Sequence, residues 1–132
     1  MNSEQLIARA QRTVASAKLL FDAADLNGAC NRAYYAMFDA ARAALLTVEG
    51  PLRAEAIKTH SGLITAFSLY LIKTGRIPDQ HGKALRQVDQ IRLIADYSDA
   101  EIESADAATA IRHASDFVAA VGAYSKKEPS QQ

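Results

Sequence analysis

Cysteine is nearly absent from this chain, and its scarcity excludes disulfide-stabilised proteins and proteins with cysteine-rich metal sites. The 132 residues contain one cysteine, Cys30, so an intrachain disulfide cannot form and a cysteine-rich metal site cannot be built. Free cysteine without disulfides is typical of a reducing compartment, and the sequence therefore predicts a cytoplasmic protein. The spacings of a zinc site, a glycine-rich phosphate loop and a nucleophile elbow are also missing. We expect no metal and no cofactor.

Net charge and long apolar runs are missing as well. Fifteen Lys and Arg balance fifteen Asp and Glu, whereas a protein that binds duplexes on its own needs clustered positive charge. Contact with RNA would have to come from a local patch or from a groove between subunits. The N-terminus has no positive leader before an apolar run, and no stretch approaches the roughly 18 apolar residues of a membrane span. The sequence predicts neither secretion nor membrane insertion.

Glycine and proline are scarce and interrupt the chain at only a few places. Asn27-Gly28, Gly50-Pro51 and the segment 75–78 separate stretches in which apolar residues recur every three or four positions, the period of an amphipathic helix. No stretch alternates like a strand. The predicted helices span about 3–24 with Ser3 as N-cap, 29–48, 59–74, 78–97, and from Asp99 or Ser104 to 124, with a loop or short turn over 52–58.

Short connections between these helices predict an all-α fold, an up-and-down antiparallel bundle of about five helices. The domain spans 1–125, and the polar segment 126–132 is predicted to be a disordered tail. Alanine makes up roughly a fifth of the chain, so the helices can approach closely, but the core is thin for a domain of this size. A homodimer that covers one apolar face is therefore expected.

Three stretches carry a resemblance to a known family. Residues 27–45 contain the pattern Asn-Arg-x-Tyr-Tyr-x-x-Phe, residues 92–97 read Arg-Leu-Ile-Ala-Asp-Tyr, and residues 58–63 read Lys-Thr-His-Ser-Gly-Leu. Together they resemble the small members of the HEPN family (higher-eukaryote and prokaryote nucleotide-binding domain), whose second and fourth helices carry the first two patterns. The resemblance extends over about 3–123.

The resemblance implies a helical bundle, frequent homodimers, and a gene paired with a minimal nucleotidyltransferase that acts as the antitoxin. Many HEPN proteins are metal-independent endoribonucleases with an Arg-x(4–6)-His motif, in which Arg and His of two subunits face each other across the dimer cleft. The Arg binds the scissile phosphate, and the His assists proton transfer at the 2′-hydroxyl. In one subgroup the motif continues to a Tyr that the nucleotidyltransferase modifies with adenylate, which silences the toxin.

The motif is degenerate in this chain. Arg92 aligns with the motif arginine, but the positions where a histidine belongs read Tyr97, Ser98 and Asp99. Arg92 and Asp96 are four positions apart on the fourth helix and can form an ion pair. Either this pair is structural and Tyr97 packs with its hydroxyl in water, or Arg92 binds an anion and Tyr97 donates a hydroxyl or is modified. The candidate catalytic residues are Arg92, Tyr97 and Asp96.

Two other pairs have the spacing of the motif, Arg76 with His81 and Arg53 with His60. Pairs at this spacing also arise by chance in a chain with this many arginines. His81 follows a Gly-Arg-Ile-Pro connection instead of lying late in the fourth helix. The sequence therefore favours Arg92 as the motif arginine.

A first group of candidate RNA- or nucleotide-binding residues lies near the start of the second helix. Asn31, Arg32, Tyr34 and Tyr35 occupy nearly one turn, and Tyr34 falls on the apolar stripe, so it is expected in the core. Asn31 and Tyr35 flank it and are able to hydrogen-bond the Arg–Asp pair of the fourth helix. The alternative is an internal polar network with no ligand. We take Asn31, Arg32 and Tyr35 as candidates.

A second group opens the third helix, where free backbone N–H groups favour an anion. Lys58 and His60 are the candidates for contact with a phosphate. The simpler reading is that Thr59 caps the helix and His60 is merely solvated. His113, beside the inner stripe of the last helix, is expected to be a boundary residue.

The resemblance favours the toxin component of a toxin–antitoxin pair, acting as a metal-independent endoribonuclease. One alternative is a non-catalytic HEPN subunit that binds a nucleotide or presents Tyr97 to a nucleotidyltransferase-type antitoxin. Another is a plain helical dimer that senses a nucleotide. The expected partners are a second copy of the chain, the antitoxin and RNA.

Overall fold

The computed structural model describes residues 1–48, 58–99 and 101–128, and within these ranges the chain is all-α, with no strand. Its α-helices are α1 (Ser3–Asp22), α2 (Leu26–Leu45), α3 (His60–Phe67), α4 (Asp79–Tyr97) and α5 (Ser104–Lys127). A π-helical segment, Ser68–Ile72, continues α3. The predicted all-α bundle of about five helices is confirmed. Among the described helices, none is long and apolar enough to cross a membrane.

The first helix is capped one residue earlier than predicted. Asn2, and not Ser3, is the N-cap: its side chain accepts a hydrogen bond from the backbone N of Gln5 at 2.8 Å, and the Gln5 side chain accepts one from the backbone N of Asn2. Ser3 is free for another contact, and its hydroxyl donates to the carbonyl of Ala43 at 2.9 Å. The start of α1 is thereby fixed to the end of α2.

The second helix begins at Leu26 instead of at about 29. The Asp25 carboxylate caps it by accepting a hydrogen bond from the backbone N of Gly28 at 2.9 Å, as expected of an acidic N-cap. A Cβ atom on Gly28 would collide with that carboxylate. The Asn27-Gly28 pair, predicted to be a turn, therefore forms the first turn of α2, and Gly28 makes room for the cap.

The second helix lies at the centre of the bundle and packs against each of the other four. Its buried side chains are mostly alanine, with Cys30, Tyr34, Met37 and Leu45 as the larger members. One buried carboxylate joins α2 to α1: Asp39 accepts hydrogen bonds from Nε and a terminal nitrogen of Arg9, at 2.7 and 2.8 Å. Such a bidentate pair is well oriented for a partly buried site.

The third helix ends in a π-helical segment, whereas the sequence predicts a regular α-helix to residue 74. From Ser68 the backbone forms a π-helix, in which the N–H of Lys73 donates to the carbonyl of Ser68 five positions back, at 2.9 Å. Gly75, with φ of +77°, then reverses the chain in a conformation that suits glycine. A three-and-four apolar spacing does not distinguish an α-turn from a π-turn, so this segment could not be predicted.

In the sequence of the fourth helix, Leu85, Val88, Ile91 and Ile94 recur every three positions, which predicts that they face the core. The helix is rotated relative to that prediction. Leu85 and Val88 are buried as expected, but Ile94 is 47% exposed and Ile91 is half-buried. Arg92 is 4% exposed and takes the inner position instead. The prediction was wrong because it followed the apolar side chains alone, whereas a charged side chain can be buried where its partners neutralise it.

The last helix begins at Ser104, one of the two predicted starts, and extends through Lys127. Lys126 and Lys127, predicted to belong to a disordered tail, are therefore helical. Residues 129–132 of that tail lie outside the described residues. The same holds for Gly50-Pro51, for residues 52–57 of the predicted loop, and for Arg53 of the alternative Arg–His pair.

Candidate functional site

Arg92 is held by two carboxylates of its own helix. One terminal nitrogen donates to Asp89 at 2.9 Å, and the other donates to Asp96 at 3.4 Å, a long contact. The side chain of Arg92 is 5% exposed, against 15% for Asp89 and 29% for Asp96. Its Nε is buried without a hydrogen-bond partner. The predicted Arg92–Asp96 pair forms, but the shorter contact is to Asp89, three positions back.

The face of Tyr34 covers Arg92. The guanidinium carbon lies 4.5 Å from the centre of the Tyr34 ring, within the range of a cation–π contact. Burial lowers the pKa of Arg92, but the hydrogen bond to Asp89 and its charge outweigh burial, so the pKa is raised and the guanidinium stays charged. Burial, followed by the charge of Asp89, raises the pKa of Tyr34. The phenol is therefore neutral.

The hydroxyl of Tyr34 holds His60. Its oxygen lies 2.9 Å from His60 Nδ1, and the two ring centres are 5.3 Å apart. Thr59 caps α3 as predicted, because its hydroxyl accepts a hydrogen bond from the backbone N of Gly62 at 3.0 Å. The capped first turn fixes the backbone of His60. The reading of His60 as merely solvated was wrong, since its ring is half-buried and hydrogen-bonded.

The pKa of His60 is lowered. Burial is the first cause, the positive charge of Arg92 is the second, and the charge of Asp89 opposes them. A lowered pKa makes the neutral imidazole the resting form near neutral pH. If Nδ1 carries the proton and donates to Tyr34, Nε2 is a free base. Within the described chain, His60 hydrogen-bonds through Nδ1 alone.

Four of the five predicted binding residues lie in one contiguous group. Asn31 accepts a hydrogen bond from Arg32 at 2.9 Å, Arg32 lies over the ring of Tyr35 at 5.4 Å, and the Tyr35 ring centre is 5.7 Å from that of His60. Lys58 is exposed and precedes His60 by two residues. The structure thus brings the predicted α2 and α3 candidates to one surface.

The predicted link from this group to Arg92 is different in the structure. No hydrogen bond described for Asn31 or Tyr35 reaches Arg92 or Asp96; the ring of Tyr34 makes that contact. Asn27 supplies the hydrogen bond between α2 and α4, from its amide nitrogen to the carbonyl of Ala95 at 3.2 Å.

Tyr97 is separate from the Arg92 cluster. It is 79% exposed and lies five positions after Arg92, which is about 140° around a helix of 3.6 residues per turn. Arg92 faces the core, so the two side chains point in different directions. The structure brings Arg92 and Asp96 together, and it leaves Tyr97 open to solvent at the end of α4.

The alternative pair of Arg76 and His81 does not form a site. Arg76 is exposed, whereas His81 is buried and its ring packs against Phe117 with centres 6.1 Å apart. Burial lowers the pKa of His81. His113 is half-buried on α5, as expected of a boundary residue.

Sequence reasoning missed two members of the site. Asp89 was available as a partner, because it precedes Arg92 by three positions on a helix. Phe38, the last residue of the Asn-Arg-x-Tyr-Tyr-x-x-Phe pattern, was not a candidate, yet it is half-buried and its ring centre lies 5.2 Å from that of His60. The described residues contain no group of three or more His, Cys, Asp or Glu that could hold a metal ion.

A model of the HEPN domain matches residues 3–126. The chain belongs to the HEPN family. It is similar to a "UPF0332 protein" of Gloeobacter violaceus, 31% identical over 125 residues, which cover 88% of this chain and 95% of that one. It is also similar to a protein of Methanocaldococcus jannaschii named "Putative toxin MJ0605", 34% identical over 116 residues, 87% of this chain and 82% of that one. A "UPF0332 protein" of Thermotoga maritima is 32% identical over 114 residues, 86% and 83% of the two chains.

Arg92, which the sequence predicts to be the motif arginine, is buried, and the half-buried His60 of α3 lies on the other side of Tyr34. Arg92 is neutralised by Asp89 and Asp96 and covered by Tyr34, so it is poorly placed to bind a phosphate in this chain alone. His60 is half-buried, and the hydroxyl of Tyr34 orients its ring. The arrangement suits proton transfer by His60, with Arg92 acting on it through Tyr34.

Proposed function

We propose that this HEPN protein is a toxin component that cleaves RNA without a metal ion, with His60 as the general base. The observation that carries the proposal is the connected series Arg92, Tyr34 and His60, with contacts of 4.5 and 2.9 Å. The toxin name of a relative that matches 87% of this chain supports the biological role. The lowered pKa of His60 supports the chemical role.

The reaction is a transesterification within the RNA. Nε2 of His60 removes the proton from a 2′-hydroxyl, and that oxygen attacks the adjacent phosphorus. The bond from phosphorus to the 5′-oxygen of the next nucleotide breaks, and a proton from water completes the leaving hydroxyl. The products are a 2′,3′-cyclic phosphate and a 5′-hydroxyl end. All atoms come from the RNA and from proton transfer, so the reaction requires neither a metal ion nor a cofactor.

Arg92 is a positioning residue in this proposal. Its charge lowers the pKa of His60, and its guanidinium supports the Tyr34 ring that orients the imidazole. Asp96 and Asp89 keep Arg92 charged and in place. Contact with the phosphate falls to groups at the surface, of which Arg32 and Lys58 are exposed and nearest along the chain to the site.

The test compares His60→Gln with the parent on RNA, with His113→Gln as the matched control. His60→Gln should lose about 10²–10⁴-fold of the cleavage rate, as expected when a general base is removed. His113→Gln should cut like the parent, and a chelator should have no effect. A His60→Gln protein that cuts at the parent rate would refute the assignment. The 2′,3′-cyclic end identifies the reaction.

A second candidate rests on the exposure of Tyr97. At 79% exposed, its hydroxyl is open to a partner enzyme at the end of α4. In this alternative the chain is the subunit that a nucleotidyltransferase recognises, and the Tyr97 oxygen attacks the α-phosphorus of ATP, forming an adenylyl ester and releasing pyrophosphate. Co-expression with the neighbouring gene, followed by mass spectrometry of the chain and of Tyr97→Phe, tests it. An unmodified parent chain would contradict it.

A further inference from the structure

One narrow strip of α2 is not fully buried, with one exposed and four half-buried members. From Ala29 to Leu45, every residue of α2 is buried except five. These are Asn31, Arg32, Tyr35, Phe38 and Arg42, which we call the α2 strip. Their steps of one, three, three and four positions keep them on one side of the helix. The open side of the central helix is therefore made of two arginines, two aromatic rings and one amide.

The two arginines each lie over a ring. The guanidinium carbon of Arg32 is 5.4 Å from the centre of Tyr35, and that of Arg42 is 6.0 Å from the centre of Phe38. Guanidinium planes and aromatic rings are the surfaces on which unpaired bases stack. The α2 strip therefore presents two flat platforms.

The α2 strip carries two positive charges. In the described ranges, no ion pair involves Arg32 or Arg42, and Nε of Arg42 is buried without a hydrogen-bond partner. Asp39, the one acidic residue in the sequence of α2, is buried and accepts hydrogen bonds from Arg9. A neutral chain thus carries a local positive strip, the kind of patch that binds a phosphate backbone.

We propose that the α2 strip binds single-stranded RNA, with phosphates at Arg32 and Arg42 and bases on the Tyr35 and Phe38 platforms. This deepens the proposed ribonuclease function and rests on it for the identity of the ligand. Ten residues of helix separate the two arginines, about 15 Å. At a rise of about 3.4 Å per stacked nucleotide, this length matches about four nucleotides.

His60 lies beside the middle of this path. Its ring centre is 5.7 Å from that of Tyr35 and 5.2 Å from that of Phe38, the two residues between the arginines. An RNA strand that contacts both arginines therefore passes the imidazole. A duplex is a poor ligand, because its bases are paired and cannot stack on side chains, and because the chain lacks the wide basic surface that duplexes need.

The binding test uses the full chain and a fluorescent 2′-O-methyl oligonucleotide, which cannot be cleaved because the 2′-oxygen is blocked. Fluorescence anisotropy should show that Arg42→Ala binds the single strand about tenfold more weakly than the parent, in line with the loss of a stacking and phosphate contact. The slope of log affinity against log salt should fall by about 0.7. Arg112→Ala, which removes an exposed arginine on α5, should bind within about twofold of the parent.

Equal affinities of Arg42→Ala and Arg112→Ala would overturn the proposal, and so would duplex binding as tight as single-strand binding. Circular dichroism checks the fold, and Arg32→Ala replaces Arg42→Ala if the latter unfolds, because Arg32 is exposed and Arg42 is half-buried. Arg42→Lys keeps the charge but not the plane, so it should weaken binding while leaving the salt slope unchanged.

The outcomes separate this proposal from the ribonuclease proposal. His60→Gln should bind the oligonucleotide like the parent while failing to cut RNA. A parent chain that binds in an Arg42-dependent manner but never cuts would refute the ribonuclease and keep the RNA path. Cleavage that depends on His60 but is unaffected by Arg32→Ala and Arg42→Ala would refute the path and keep the ribonuclease.

Discussion

Arg92 lies over the ring of Tyr34, with its guanidinium carbon 4.5 Å from the ring centre, in a core position that the apolar pattern of α4 does not predict. This contact allows a charged side chain to pack in the core, because the ring shields the guanidinium from water and Asp89 and Asp96 neutralise its charge. The hydroxyl of the same tyrosine contacts Nδ1 of His60, whose ring is half-buried. A buried cation is thereby coupled to a half-buried imidazole by one side chain.

Removing the tyrosine hydroxyl tests this coupling. Tyr34→Phe keeps the ring over Arg92 and loses only the 2.9 Å contact with Nδ1 of His60. We expect a loss of about 1 kcal/mol in the free energy of unfolding, the usual value of one hydrogen bond, and a larger loss of RNA cleavage, because the imidazole is no longer oriented.

Urea unfolding and single-turnover cleavage measure the two effects. Tyr70→Phe, on the half-buried π-helical segment, is the control and should leave cleavage unchanged. If Tyr34→Phe cuts at the parent rate, Tyr34 does not orient a catalytic histidine.

Arg92 should prove to be structural as well as functional. Arg92→Ala leaves Asp89, whose side chain is 15% exposed, without its cation, and breaking a buried ion pair from one side costs about 3–5 kcal/mol. A drop in unfolding temperature by circular dichroism is therefore expected together with any loss of activity. An Arg92→Ala protein that unfolds at the parent temperature would refute the structural role.

The triple variant Asp89→Asn, Arg92→Met and Asp96→Asn separates the roles. It removes the charges together and keeps an apolar chain under Tyr34, so much of the stability should return. Cleavage should return in part, because burial, the first cause of the lowered pKa of His60, is kept, while the opposing charges of Arg92 and Asp89 are removed together. A variant that is as stable as the parent but does not cut would show that the charge of Arg92 itself is needed.

The fold was predictable because the helix period and the scarcity of Gly and Pro act locally. The site was predictable only where its members are close in sequence. Arg92 and Asp96 are one turn apart, and Asn31, Arg32 and Tyr35 share one stretch, so their proximity follows from helix geometry. The contact between Tyr34 and His60 spans 26 positions and depends on the packing of α3 on α2. The burial of Arg92 depends on the ring that covers it, and no local pattern signals that ring.

The homodimer remains a prediction from the thin, alanine-rich core. The structure adds candidate surfaces, because Ile94 and Tyr97, three positions apart on α4, are 47% and 79% exposed. Light scattering at micromolar concentration should give twice the chain mass of 14.2 kDa. Ile94→Asp should shift the protein to the monomer if this face is buried in the dimer, whereas Leu19→Asp, at a position of α1 that is 70% exposed, should not. A parent chain that scatters as a monomer contradicts the prediction.

The stability of the fold should fall on mild acidification, because two histidines have lowered pKa values in the folded chain. His60 and His81 are both shifted mainly by burial, so the folded state disfavours their charged forms. Above the unfolded-state pKa of about 6.5 both states are neutral and the full stability is present. As the pH falls below that value, the unfolded chain gains protons first, and stability is lost until the pH has passed the folded-state pKa.

Urea unfolding at pH values on either side of this window measures the effect. His81→Gln should flatten the pH dependence without affecting cleavage, because His81 packs against Phe117, away from the His60 surface. His60→Gln should flatten it less, since its ring is only half-buried. The cleavage rate of the parent should fall with acid as His60 gains its proton, with a midpoint below 6.5 because its pKa is lowered. A midpoint above 6.5 would mean that another group is the base.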